Sequence, residues 1–131
     1  MSAYKTINCS FKDKSTLLQS LKDLGYHPME YKEKQKLTGY LNDLRNEVAE
    51  IIVPKVQISR SSNDLGFTYD ISAKEYIMIC SDFDIHHGLA DKVRQSYALT
   101  AIKTALKKNK FNITVEEKNN KSITLTANKI I

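Results

Sequence analysis

The stretch of residues 63–84 constrains the fold more than any other part of the sequence. Apolar or aromatic residues occupy every second position from Leu65 to Ile71, so a pleated strand would place them all on one face. The polar segment Ser72–Glu75 predicts a turn, and the β-branched and aromatic run Tyr76–Cys80 predicts a buried second strand. The stretch therefore indicates a central β-hairpin, to which the flanking segments add further layers.

Two helices are predicted, one on each side of this hairpin. The alternating segment Tyr4–Phe11 first predicts a half-buried strand. Asp13 then offers a helix N-cap and Gly25 a left-handed C-terminal stop, so we expect a helix over residues 14–24. We expect the second helix over residues 88–108, with lysines towards its C-terminal end, where the helix dipole favours them.

The remaining segments carry weaker patterns. Residues 26–46 lack an apolar period and predict an extended, exposed excursion with one edge strand. Residues 48–58 predict a strand in which Pro54 indicates an edge position or a bulge. Near the C-terminus, residues 111–117 and 122–127 predict a closing hairpin around an Asn-containing turn.

The order of these elements indicates the fold class. Few strands alternate with helices, and most of the strands can pair as hairpins with their neighbours. We therefore predict an α+β fold, a two-layer sandwich with a mostly antiparallel β-sheet and two helices packed on one face. A chain of 131 residues fits a single domain over residues 1–131.

The charge distribution does not favour a nucleic-acid-binding protein. The formal net charge is +5, but the basic residues are mostly lysines spread over the whole length. No basic stripe interleaved with aromatic residues appears, so nucleic acid is not the expected partner. An RNA-binding module that uses the lysines near residues 103–110 is kept as a second alternative.

Targeting and cysteine usage bear on the compartment. No run approaches the roughly 20 apolar residues that cross a bilayer, so we expect no membrane span. The N-terminal residues have neither the hydrophobic region of a signal peptide nor an Arg- and Ser-rich transit segment, so we expect the protein to act where it is made. Cys9 and Cys80 lie in predicted strands without metal-site spacing, which indicates buried thiols in a reducing compartment.

One cluster, Asp82, Asp84, His86 and His87, has the residue types of a metal or acid–base site. On a strand the two carboxylates would share a face, and such ligands suit hard cations or zinc. Adjacent histidines cannot easily both ligate from a helix start, and no third segment supplies ligands at a recognisable spacing. A metal-binding or enzymatic protein centred on this cluster is therefore the alternative, and helix capping is the preferred interpretation.

Other catalytic motifs are not found in the sequence. It contains no GxSxG pattern, and its four glycines are isolated rather than grouped into a phosphate-binding loop. Neither cysteine has a base nearby in the sequence. We therefore assign no catalytic residue, no cofactor and no metal, and favour a non-catalytic protein.

Arg94 is predicted to form a structural clamp. Helical winding at 100° per residue places it near the middle of the apolar half of the second helix. A buried guanidinium needs a carboxylate partner, and the end of the central hairpin delivers Asp82 and Asp84 close by. The sequence therefore predicts a partly buried salt bridge from Arg94 to Asp84 or Asp82. The alternative is that Arg94 extends along its aliphatic stem to solvent.

The order of motifs along the chain resembles that of an uncharacterised plastid family, the hypothetical chloroplast open reading frame thirty-five, and its bacterial and cyanobacterial domain-of-unknown-function relatives. The motifs are Met1-Ser2, Thr6-Ile7, Leu21–Gly25, Leu37–Tyr40, Ala49–Pro54, Ser62–Phe67, Ser81–Asp84 and Arg94–Ala98. The resemblance implies a plastid-encoded protein of the chloroplast stroma and no assigned activity. In bacterial relatives, nearby genes for MoxR-type ATPases imply an assembly-related role with an ATPase-associated protein partner. We expect, from the resemblance, a protein-interaction module.

Overall fold

The structure, a computed structural model, describes residues 2–108, 111–119 and 122–129, and the side chains of residues 2–108. The chain divides into two compact units, Met1–Tyr97 and Ala98–Ile131. The single domain over residues 1–131 stays a prediction. In chain order the elements are β1 (Tyr4–Phe11), α1 (Lys14–Asp23), β2 (Met29–Thr38), β3 (Leu44–Val53), a 3-10 helix (Lys55–Gln57), β4 (Leu65–Asp70), β5 (Glu75–Ser81), α2 (Asp82–His86), α3 (Leu89–Lys108), β6 (Phe111–Asn119) and β7 (Ser122–Lys129).

Helix α1 begins and ends where the sequence indicates. The Thr16 amide donates to the Asp13 carboxylate at 2.9 Å, which satisfies one of the free amides of the first turn. Gly25 follows the helix at a φ of +91°, a left-handed conformation that a glycine adopts without steric cost. The predicted cap and stop are both confirmed.

The first unit contains a five-stranded sheet in the order β1-β5-β4-β3-β2, and every neighbouring pair is antiparallel. The predicted hairpin of β4 and β5 lies inside this sheet, with Phe67 opposite Met78. Strand β4 ends at Asp70, one residue earlier than predicted, because Ile71 belongs to the turn and is 82% exposed. The α+β class with an antiparallel sheet is confirmed.

Helices α1 and α3 pack on the same face of this sheet, as predicted. Leu17 and Leu21 of α1 and Val93 of α3 are fully buried in one cluster with Phe67 and Met78 of the central hairpin. At roughly 1.5–3 kcal/mol for each fully buried large apolar side chain, this layer supplies most of the hydrophobic stabilisation of the unit.

The opposite face carries a smaller apolar cluster that belongs mainly to β2 and β3. Leu37, Ala49, Ile52 and Ile79 are buried there, and Tyr4 packs against them. Gly66 lies beneath this cluster, where a Cβ atom would approach Leu37 Cδ1 to 2.9 Å. The sequence predicted a bulge or a close backbone approach at Gly66; the space is filled by neighbouring side chains instead.

Residues 26–58 depart most from the sequence prediction. The expected excursion contains a ten-residue strand, β2, which pairs with β3 along an irregular register. Strand β3 begins at Leu44, four residues before the predicted start, and ends at Val53. Pro54 is therefore outside the strand, and its φ of −58° leads into the 3-10 helix.

In the second unit, β6 and β7 form a separate antiparallel two-stranded sheet, with Phe111 opposite Lys129. The predicted closing hairpin is confirmed at the level of backbone pairing. The predicted inward positions of its apolar side chains, and part of its turn, lie outside the described residues. Across residues 2–108, no helix combines the length and the apolar character needed to cross a bilayer.

Candidate functional site

Asp84 lies in the first turn of α2 and is buried, with 3% of the residue exposed. Ser81 caps this helix, because its oxygen accepts from the Asp84 amide at 3.1 Å and its hydroxyl donates back to Asp84 Oδ2 at 2.9 Å. The Ser62 hydroxyl donates to the other carboxyl oxygen, Oδ1, at 2.6 Å. Asp84 therefore joins the end of β5 to the loop that precedes β4.

A second hydroxyl extends this network to the surface. Ser59 Oγ and Ser62 Oγ are 2.7 Å apart. A serine has one hydroxyl proton, and Ser62 gives its proton to Asp84, so Ser59 is the donor of this bond. A chain of two hydroxyls thus leads from Ser59 to the buried Asp84, whose carboxyl group itself contacts two serines, Ser62 and Ser81.

The structure does not bring together the four residues of the metal hypothesis. Asp82 pairs with Lys5, with 3.2 Å between Oδ1 and Nζ, while Asp84 faces its serines. Both carboxylates lie on α2 rather than on a strand, and residues two apart on a helix point about 200° apart. Within the part of the chain that the structure describes, no three His, Cys, Asp or Glu side chains form a metal-binding group.

The two histidines have separate environments. His86 is exposed in the last turn of α2. His87 Nδ1 lies 2.7 Å from the Phe83 carbonyl oxygen, which can only accept, so Nδ1 carries the proton and Nε2 is directed elsewhere. The His87 ring also stacks on Phe83, with 4.2 Å between ring centroids. This ring is therefore held in one orientation.

Arg94 does not form the predicted clamp. Its Nη2 atom pairs with Asp91 Oδ1 at 2.9 Å, one turn earlier on the same helix, and both side chains are largely exposed. The buried face of α3 instead includes Ser96, whose hydroxyl donates to the Ser20 carbonyl of α1 at 2.8 Å. Because this polar serine is satisfied inside the core, the helix is rotated relative to the face that apolar residues alone define.

A cavity of about 420 Å³ opens beside Asp84. Its walls come from the loop before β4, from α2, from the first turn of α3 and from Tyr26, which follows α1. Ile58 and Leu89 supply apolar surface, and the cationic residues Arg60 and Lys92 also line it. The Lys92 ammonium lies 5.5 Å from the centre of the Tyr26 ring, within the range of a cation–π interaction.

A buried polar network follows directly in the sequence, at Asn63 and Asp64. The Asp64 carboxyl oxygens accept from the Thr38 amide at 2.9 Å and from the Lys55 amide at 2.8 Å. Asn63 Oδ1 accepts from the Tyr40 amide at 2.9 Å. This segment therefore joins β2 and the 3-10 helix through main-chain contacts, and its role is structural.

Tyr4 completes this network from β1. Its hydroxyl donates to the Asp64 carbonyl oxygen at 2.6 Å, and the Arg45 guanidinium lies 5.6 Å from the centre of its ring. Burial, with a smaller contribution from the Asp64 carboxylate, raises the pKa of the Tyr4 hydroxyl well above its ordinary value.

A hydrogen bond from Arg45 lowers the pKa of the Asp43 carboxyl group below its ordinary value.

The two cysteines are free thiols. Cys80 is buried in β5, and burial raises its pKa to about 12. Cys9 is partly buried, and burial also raises its pKa. A thiol with a raised pKa is a poor nucleophile at neutral pH. Both residues therefore match the sequence interpretation of structural thiols.

Sequence reasoning missed the cavity and the Asn63–Asp64 network. The cavity is formed by three segments that are distant in the sequence: Tyr26, residues 58–62 and residues 83–92. No local motif predicts such an arrangement. A signal for the network was present, since Ser, Asn and Asp in a loop commonly hydrogen-bond to main-chain groups. Of the lysines of the RNA alternative, Lys103, Lys107 and Lys108 lie on α3, and Lys110 lies outside the described residues. RNA binding stays a prediction.

Comparison with known proteins identifies a family without an assigned activity. A family model described as "Protein of unknown function (DUF1257)" matches residues 20–126 of the chain. This range includes the cavity, the Asn63–Asp64 part of the buried polar network and, among the described residues, all the strands except β1 and the last residues of β7. No curated protein and no solved structure matches the chain.

Proposed function

The chain belongs to the DUF1257 family of proteins of unknown function, and we propose that it is a non-catalytic protein-interaction module of the chloroplast stroma. The order of its motifs from Met1 to Ala98 supports placing it with the plastid proteins named hypothetical chloroplast open reading frame thirty-five. The same resemblance makes an ATPase-associated assembly role the first to test, with a MoxR-type ATPase as the first candidate partner.

The observation that carries this proposal is the surface of β2. This strand is the last in the order of the five-stranded sheet, and its first eight residues, 29–36, are all exposed. An edge strand presents unpaired main-chain amide and carbonyl groups, to which a strand of another protein can add. The two aromatic or apolar side chains in this segment, Met29 and Tyr31, are 47% and 40% exposed.

The charges of β2 indicate the chemistry of the partner. Lys32, Lys34 and Lys36 occupy alternate positions of the exposed part of β2, where the register with β3 is irregular. Two copies of β2 paired with each other would bring these lysines close together, and like charges opposite each other are destabilising. A partner strand with acidic residues at alternate positions would avoid this repulsion. The three lysines therefore disfavour self-association through β2 and favour an acidic partner.

The contacts of Asp82 and Asp84, the two carboxylates of the metal hypothesis, support a non-catalytic role. Asp84 is engaged by two serine hydroxyls and Asp82 by Lys5. Each carboxylate thus has a structural partner, one as part of a helix cap and the other in a surface ion pair.

The experiment compares capture by the wild-type chain and by a charge-reversed variant, Lys32→Glu/Lys34→Glu/Lys36→Glu, from a stromal extract. Captured proteins are identified by mass spectrometry. We expect one protein, recovered with the wild type, to fall by about tenfold or more with the variant, since like charges would then face its acidic strand. The control, Lys107→Glu/Lys108→Glu, changes exposed lysines on α3 and should retain the partner.

Two results would contradict the proposal. Equal recovery with the β2 variant and the control would exclude β2 as the binding surface, and recovery of the wild-type chain only as a free monomer would exclude a stable partner. Immunodetection in fractionated plastids tests the compartment separately, because a stromal protein should be released with the soluble fraction after osmotic lysis.

A further inference from the structure

The cavity beside Asp84 has the size and lining of a small-molecule site. Its volume, about 420 Å³, falls within the roughly 300–1,000 Å³ of pockets that hold small ligands. Tyr26 and Leu89 are buried and supply a rigid apolar wall, to which Ile58 and Phe83 add partly buried surface. All of these residues belong to the first compact unit.

Two cations line this cavity without a carboxylate partner in the described part of the chain. The ion pairs found there join Lys5 to Asp82, Lys14 to Glu30, Arg45 to Asp43 and Arg94 to Asp91. Neither Arg60 nor Lys92 takes part in any of them. Lys92 instead lies over the face of Tyr26, which holds its ammonium group at the cavity wall.

Asp84 does not neutralise these cations. Asp84 lines the cavity, but Ser62 and Ser81 each donate a hydroxyl proton to one of its oxygens, and only 3% of the residue is exposed. Hydrogen bonds from hydroxyls, rather than an ion pair, therefore compensate this carboxyl group. Arg60 and Lys92 are left as two positive charges against one hydrogen-bonded carboxyl group.

His87 adds a third nitrogen at the same place. Its Nδ1 is committed to the Phe83 carbonyl oxygen and its ring is stacked on Phe83, so only Nε2 is available to a ligand. With the proton on Nδ1, Nε2 of the neutral ring accepts a hydrogen bond, for example from a hydroxyl group of the ligand. The lining therefore combines an arginine, a lysine, an oriented imidazole and an apolar wall.

We propose that this cavity binds a small organic phosphate. The phosphate group contacts Arg60 and Lys92, and the organic body packs against Tyr26 and Ile58. A phosphate has three terminal oxygens, enough for the planar fork of an arginine and the point charge of a lysine at once. The apolar wall selects a ligand with a hydrophobic or aromatic part over the free anion. This inference does not depend on the β2 surface.

The test uses phenyl phosphate as the probe and titrates the full chain by calorimetry. Inorganic phosphate, which lacks the ring, and phenol, which lacks the charge, serve as comparison ligands. We expect phenyl phosphate to bind about tenfold or more tightly than either of them, because only it engages both parts of the cavity. Chemical-shift changes should centre on Tyr26, Ile58 and His87.

Two charge-neutralising variants, Arg60→Gln and Lys92→Gln, should each weaken phenyl phosphate binding by about fivefold or more, since each removes one charge-assisted contact. Both residues are exposed, so the variants should fold, which thermal unfolding verifies. The control is Lys34→Gln, an exposed lysine of β2 that does not line the cavity. Its affinity should equal that of the wild type.

Three outcomes would overturn the proposal. One is the absence of phenyl phosphate binding at millimolar concentration. Another is equal affinity in the wild type and both cavity variants. The third is inorganic phosphate binding as tightly as phenyl phosphate, which would exclude an organic ligand. Capture of a protein partner through β2 is measured separately, so either proposal can fail alone.

Discussion

Two polar segments of this chain, Ser62–Asp64 and the first eight residues of β2, have opposite surroundings in the folded protein. All three residues of the first segment are buried, and Asn63 and Ser62 are completely inaccessible. All of residues 29–36 are exposed. Both segments are polar in sequence, so polarity alone does not decide whether a segment belongs to the core.

The difference lies in the hydrogen-bond partners that each segment reaches. Serine, asparagine and aspartate are short and can accept from nearby main-chain amides, as Asn63 and Asp64 do from Tyr40, Thr38 and Lys55. The lysines and glutamates of β2 are long, flexible and strongly hydrated, and burial would cost them side-chain entropy as well as solvation. The buried segment therefore stabilises the fold by hydrogen bonds to neighbouring main-chain groups, and the exposed segment remains accessible to a partner.

The largest effect is expected from Asp64→Ala. This change removes the acceptor of the Thr38 and Lys55 amides, and each buried donor left unsatisfied costs about 1–3 kcal/mol. We expect the free energy of unfolding, measured by urea denaturation, to fall by about 2–5 kcal/mol.

Asp70→Ala is the matched control for this prediction. The Asp70 carboxylate also accepts from two main-chain amides, those of Ser72 and Ala73, but in an exposed turn where water can replace it. Its loss should therefore cost only about 1 kcal/mol or less. Equal losses for the two variants would contradict the distinction between a buried and an exposed carboxylate acceptor.

Gly66→Ala tests the end of β2 that is buried rather than exposed. The new Cβ atom would approach Leu37 Cδ1 to 2.9 Å and Ala49 Cβ to 3.0 Å, so β2 and β3 would have to shift. We expect a loss of about 1–3 kcal/mol in the free energy of unfolding.

A double-mutant cycle with Leu37→Ala checks the cause. Shortening Leu37 removes the nearest contact, so the double variant should lose clearly less stability than the sum of the two single variants. Strict additivity would mean that Gly66 is needed for another reason, such as the close approach of Ala49 Cβ.

Hydrophobic periodicity predicted those parts of the fold in which burial is apolar. Helix α1, the central hairpin and the antiparallel sheet follow from it, because the buried residues there are leucine, phenylalanine and methionine. The same reasoning failed for α3, where Ser96 takes a core position and Arg94 does not. A serine that donates to a carbonyl of another helix cannot be recognised from its own sequence neighbours.

Strand β2 and the cavity were beyond sequence reasoning for a different reason. No apolar alternation marks the exposed part of β2 as a strand, because this part is held by main-chain pairing to β3. The cavity depends on residues as distant in sequence as Tyr26, Arg60 and Lys92, which only the tertiary fold brings together.

Tyr4→Phe tests whether the buried polar network extends to β1. The variant keeps the ring and removes the hydroxyl that donates to the Asp64 carbonyl oxygen, so we expect a loss of about 1 kcal/mol near neutral pH. Burial raises the folded-state pKa of Tyr4 above its unfolded value of about 10. The folded state therefore retains this proton above pH 10 while the unfolded chain releases it, and stability falls as the pH rises.

Alkaline unfolding of the two proteins measures this contribution. Above pH 10 the stability of the wild type should decrease more steeply than that of Tyr4→Phe, by up to about 1.4 kcal/mol per pH unit for one retained proton. Parallel slopes would show that the Tyr4 hydroxyl titrates freely and does not belong to the buried network.

The smallest effect is expected from Arg94→Ala, which tests the exposed side of the comparison. The Arg94 and Asp91 side chains are 47% and 72% exposed, and exposed ion pairs contribute little because water and salt screen them. We expect a loss below about 0.5 kcal/mol, which vanishes at high salt. Ser96→Ala, two positions along the helix, is the control: it leaves the buried Ser20 carbonyl without its hydroxyl donor and should cost about 1 kcal/mol. If Arg94→Ala were the more damaging of the two, the guanidinium would have a buried role, and the rotation of α3 that exposes it would need revision.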